Sequence, residues 1–119
     1  MKKWTLVCFL TILILGFAIR TVMAQDLAKL MPDDVKVLID NDQVRVLEVI
    51  HKPGSQEPMH SHPAYVTVFL SATKLKYTTP DGKTAEKDRK AGEVTWSGPA
   101  THAVENVETT HAIVVELKK

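Results

Sequence analysis

From residue 35 onward the chain reads as short runs of β-branched and apolar residues cut by turn signals, the rhythm of a sandwich or barrel. Val35 to Ile39 predicts a first strand, and Asn41-Asp42 turns the chain into a second, Val44 to His51. Lys52-Pro53-Gly54 is a further turn, and Tyr65 to Leu70 is a dense apolar strand. Lys74 to Thr78 alternates, with Leu75 and Tyr77 on one face. Thr79-Pro80-Asp81-Gly82 is a strong turn, with Pro second and Gly fourth. The charged run Lys83 to Lys90 suits a sheet edge, where charge discourages further pairing. Glu93 to Trp96, His102 to Glu105 and His111 to Leu117 complete the set. About eight strands fit, with no long helix, so the fold class is all-β. A two-sheet jelly roll holds that number and removes most free edges.

The first 34 residues follow another pattern. Lys2 and Lys3 precede an almost wholly apolar run, Leu6 to Ile19, and Val22-Met23-Ala24 has the small-residue spacing of a signal-peptidase site. Residues 1–24 are therefore expected to be a signal peptide, with Gln25 as the new N-terminus. The run is shorter than the roughly 20 residues that span a bilayer comfortably, which disfavours the alternative of a retained anchor. The protein is then periplasmic or secreted, with no membrane contact after cleavage. Residues 25–34, holding one or two helical turns ended by Pro32, form an N-terminal arm, and 35–119 form the domain.

Removing Lys2, Lys3 and Arg20 leaves 12 basic against 14 acidic residues, taking the formal charge from +1 to −2. The remaining cations are scattered among acids, which excludes a nucleic-acid footprint. The only cysteine, Cys8, lies in the leader. An exported chain without a disulfide must draw its stability from a packed core or from association.

Candidate chemistry concentrates in the histidines. His60 and His62, at i and i+2 of an extended segment, project to one face. Two converging imidazoles suit a divalent metal, and a third from another strand closes one side of its coordination sphere. His102 is that third candidate. No phosphate-binding glycine loop, Ser/His/Asp order or nucleophilic cysteine is present. His51 and His111 read as structural or surface residues. Trp96 suits either a pocket wall or the core. Arg45 and Glu48 lie on a strand expected to flank the pocket, most simply as a solvated face.

These residues resemble the cupin family. Gly54, the five residues Ser55 to Met59, His60 and His62 match the first half of the family's first motif without a gap. Gly92, Trp96, Pro99, His102 and Asn106 are similar to its second motif, although Gly-Pro-Ala stands where Pro-x-Gly is commoner. The resemblance spans about residues 35 to 117. It implies a cupin-type double-stranded β-helix, often dimeric, with a metal inside the barrel held by His60, His62 and His102. The small cupins most similar to it include some labelled as involved in amino-acid or β-alanine degradation.

The family's glutamate has no counterpart, because its position falls at Val66 or Thr67. Val66, Val68 and Leu70 share one strand face, and Val66 is expected to face the histidines as an apolar wall. Tyr65 then points away and is not counted as a ligand. Asn106 is assigned to backbone groups near a turn. Glu57, three residues before His60, has the wrong parity and stands as the alternative fourth ligand. The expected function is that of an exported small cupin binding Fe, Mn, Ni or Zn and a small organic ligand, as a homodimer. The enzymatic form of this reading is a metal-dependent dioxygenase or isomerase, with catalytic residues unknown. The alternative is a non-catalytic binding module with a vestigial metal site.

Overall fold

The computed structural model describes residues 25–118; the expected leader, residues 1–24, lies outside the described residues. Asp26 opens the chain by capping a single helical turn, α1 (Leu27–Leu30), its carboxylate accepting from the Ala28 amide at 3.0 Å. Nine strands follow: β1 (Val35–Asp40), β2 (Val44–His51), β3 (Gln56–His62), β4 (Tyr65–Phe69), β5 (Thr73–Thr78), β6 (Thr84–Arg89), β7 (Val94–Ser97), β8 (Ala100–Asn106) and β9 (Thr110–Leu117). The strand beyond the expected eight is β3, the histidine segment, which pairs as a full strand. Among the described residues no helix is long and apolar enough to cross a membrane.

The strands form two antiparallel sheets, ordered β1-β2-β9-β4-β7 and β3-β8-β5-β6. The charged strand β6 lies at an edge and is exposed almost throughout, as its composition predicts. Two apolar clusters fill the interior. Leu27, Val35, Leu47, Val49 and Val114 pack beneath α1, and Phe69, Leu75, Val104 and Ala112 pack further along the barrel. Leu47 is fully buried, a side chain whose removal from water contributes about 2 kcal/mol.

The inward parity of β4 and β9 is the reverse of what apolarity suggests. On β9 the buried set is Thr110, Ala112, Val114 and Glu116, while Ile113, Val115 and Leu117 lie on the other face. On β4, Thr67 and Phe69 are the buried pair. Val66 therefore faces outward and is not the wall of the histidine cavity. Its cross-strand partners are Val115 and Trp96; Trp96 is 64% exposed, so it is not a core residue, and it borders an outer cleft that His102 also lines.

Candidate metal centre

The site arises from register. In the β3–β8 pairing His60 stands directly opposite His102, and His62 opposite Ala100. Directly opposed residues of an antiparallel pair project to the same face with Cβ atoms about 5 Å apart, and i+2 shares that face. The three imidazoles consequently meet inside the barrel, all buried, with ligand-capable atoms within 4.8 Å of one another. The ring centroids of His60 lie 4.7 Å from those of His62 and 4.8 Å from His102.

One end of this strand pair is locked by residues of both half-motifs. Gly54, at φ +81°, occupies a backbone conformation that other residues adopt only under strain. Its amide donates to the Asn106 carbonyl at 2.7 Å, and the Asn106 amide donates to the Ser55 carbonyl at 2.8 Å. The Asn106 side-chain amide donates to the same Ser55 carbonyl. Asn106 thus serves backbone groups at a turn.

Hydrogen bonds fix which face each ring presents. His60 Nδ1 lies 2.7 Å from the Pro58 carbonyl, which can only accept, so Nδ1 carries the proton. His62 Nδ1 donates to Glu116 Oε2 at 2.6 Å, across from the other sheet. In the neutral ring each Nε2 is then a bare lone pair, and the two Nε2 atoms are 2.9 Å apart. Burial, the largest effect, lowers the basicity of His60 and pushes His102 down to about 4, where the neighbouring imidazoles reinforce it. Converging lone pairs without a proton between them repel; a cation removes that repulsion. The donor set therefore fits a divalent metal.

The carboxylate behind His62 belongs to a longer chain of charges. Glu116 is buried and accepts from Arg45 Nε at 2.7 Å; Arg45 in turn clasps Asp26 with two bonds of 2.7 and 2.9 Å. Burial alone would raise the Glu116 carboxyl, yet bonds from His62 and Arg45 outweigh it and hold the group below its usual range. Arg45 therefore helps build the support of the site instead of forming a solvated face. Glu48 lies on the outer face with His111, 2.9 Å away.

Tyr65 and Glu57 depart from the sequence reading, whereas His51 is structural, as read. Tyr65 faces the site, its ring centroid 4.6 Å from that of His62. His51 is fully buried, with Nδ1 2.9 Å from Asp34 and Nε2 2.7 Å from Glu57. Burial opposes its charge, but the two carboxylates prevail and raise its basicity. Glu57 is turned inward by a bulge: it pairs with Val104 while His60 pairs with His102, so Pro58 and Met59 together oppose Ala103. That extra residue corrects the parity that sequence spacing assigned.

His62 and His102 line a narrow interior cavity of about 60 Å³, room for an ion and roughly one or two waters. His102, Tyr65, Thr67 and Tyr77 also line a second cleft of about 300 Å³, shared with Arg89 and Trp96. The second is of a size that suits a small organic molecule. Burial raises both tyrosine hydroxyls, Tyr77 to about 12, so they remain protonated donors at neutral pH.

No family model matches the sequence, and no curated protein does. Solved structures do. A cupin domain of Bordetella pertussis superposes with a TM-score of 0.65 at 26% identity, covering 71% of this chain and 92% of the other. The chain has the cupin fold. An RmlC-like cupin of Methanocaldococcus jannaschii gives a TM-score of 0.57 at 16% identity, over 71% of this chain and 78% of that one. A variant oxalate decarboxylase of Bacillus subtilis gives 0.52 at 13%, over 66% of this chain and 22% of the decarboxylase. Within that fold the three clustered histidines are compatible with a metal site.

Proposed function

We propose that this protein is an exported small cupin that binds a divalent transition metal through His60, His62 and His102 and admits a small organic ligand through the outer cleft. The carrying observation is the pair of Nε2 atoms 2.9 Å apart, each ring having committed its Nδ1 to an acceptor. A bound metal would supply Lewis-acid polarisation of a ligand oxygen. The protein's part is to hold the three rings through Pro58 and Glu116, to exclude bulk water with the two apolar clusters, and to offer Tyr65 and Tyr77 as hydrogen-bond donors to a ligand. Metal-dependent oxygenation or isomerisation is the enzymatic use this arrangement supports.

Lys2, Lys3 and the apolar run Leu6 to Ile19 support export. A homodimer is supported by the outer face of the larger sheet, where Ile39, Val46, Val115, Val66 and Trp96 form one cross-strand row through all five strands. Protein recovered from its native host tests the reading directly. Intact mass should place the N-terminus at or near Gln25 in an extracytoplasmic fraction, and metal analysis should give about one transition-metal ion per chain. Protein that stays metal-free after reconstitution, or retains Met1 in the cytoplasm, would overturn the corresponding part.

A further inference from the structure

We propose that Glu57 is the fourth protein donor of the centre, and that His51, itself anchored by Asp34, holds its carboxylate in position. This rests on the metal reading above and adds to it a ligand that lies ahead of the histidine pair, where Val66 and Thr67 supply no carboxylate.

Three observations carry it. The bulge in β3 places Glu57 on the inner face beside Val104, in the same cleft as His62 and His102. Its Oε1 is 3.3 Å from His60 Nε2. Two adjacent ligands at metal bonds of about 2.1 Å are separated by about 3 Å, so the spacing is that of neighbours on one ion. A carboxylate oxygen facing a bare imidazole nitrogen at this distance is repulsive unless a proton or a metal ion lies between them. Finally, the two oxygens have separate tasks. Oε2 is bound by His51 at 2.7 Å, and His51 is fixed on its other nitrogen by Asp34 at 2.9 Å. Oε1 is left as the free donor, and the side chain is only 10% exposed. Supports of this kind set ligand orientation in metal sites.

Chemically, three neutral imidazoles leave a divalent ion its full charge. One carboxylate reduces the net charge to +1 and adds an oxygen donor, which favours iron, manganese and cobalt more than an all-nitrogen set does.

The test is titration of metal-free full-length mature protein with Co²⁺, read by calorimetry and by visible d–d absorption. His60→Ala should abolish binding. Glu57→Gln should weaken it about 10- to 100-fold and shift the absorption bands, and His51→Gln should move both readouts in the same direction by less. Difference infrared spectra of the unmutated protein, with and without Co²⁺, should show the stretches of a carboxylate moving, independently of whether any variant folds. If His60→Ala abolishes binding while Glu57→Gln keeps the affinity and spectrum of the parent, Glu57 is no donor and the three-histidine reading stands. An infrared difference without a carboxylate signal overturns the proposal in the same way. Co²⁺ binding that His60→Ala leaves intact sinks the metal reading itself, and this proposal with it.

Discussion

His62 depends on a residue far away in the chain: Glu116, on the facing sheet, holds its Nδ1 proton at 2.6 Å and leaves Nε2 toward the site. A carboxylate in that position fixes the tautomer and rotation of the ring. Its replacement by a neutral amide typically costs 10- to 100-fold in metal affinity. Glu116→Gln should therefore weaken Zn²⁺ or Co²⁺ binding by about that factor while the protein stays folded, since an amide oxygen still accepts from Arg45. Calorimetric titration checks this, and an unchanged affinity would show that the Glu116 bond is structural only. His60 needs no such partner from the other sheet, because the backbone carbonyl of Pro58, two residues earlier, serves it.

Among the elements, α1 is short enough that its own backbone bonds do not hold it. It is tied to the barrel by buried Leu27 and by the bidentate Asp26–Arg45 pair. The Arg45 hydrogen bond is the main cause of a lowered Asp26 carboxyl. A group whose folded value is lowered contributes stability that is present above its ordinary value, about 3.9, and lost as pH falls through the folded value. Asp26→Asn should accordingly lower the melting temperature of the metal-free protein near pH 6, by the few degrees that about 1 kcal/mol represents in a domain of this size. The gap should close toward pH 2–3. A gap that is the same at both ends of that range would show that the ion pair adds nothing beyond the cap.

At the scale of the whole molecule, the larger sheet is unusual in carrying apolar side chains on both faces. Trp96 is 64% exposed, Val94 60%, and Ile50 50%. Five strands at about 4.8 Å spacing make a face roughly 20 Å across, comparable with the core of a standard interface of about 800 Å² per partner. A face of aliphatic rows is self-complementary, which suits a two-fold pair. Its central charges, Glu48 and His111, already bond each other. Sedimentation velocity at micromolar concentration should give a dimer, and Trp96→Ser should shift it to monomer without loss of the fold, since an exposed tryptophan anchors interfaces more than cores. A parent protein that sediments as a monomer removes the second copy from the proposal.

Much of the fold was legible locally. Turn residues and β-branched runs located nearly all the strands, and the alternation of His60 with His62 and the match of His102 singled out the three rings that meet. These are properties of contiguous residues, and side-chain period in a strand is a local rule. Parity between strands was not local. Apolarity alone turns Val66 inward, but a sheet with two apolar faces removes that signal, and pairing decides that Thr67 and Phe69 turn inward. A count back from His60 along an unbroken strand puts Glu57 on the outward face; the bulge at Pro58 and Met59 shifts it by one residue. The supports of the centre, Glu116 behind His62 and the Asp34–His51–Glu57 chain, join residues that only the packing of two sheets brings within hydrogen-bond reach. The sequence by itself determined which strands form and which imidazoles converge. The tertiary structure decided which way the flanking strands face and which carboxylates stand beside the imidazoles, because those depend on register and on contacts between sheets.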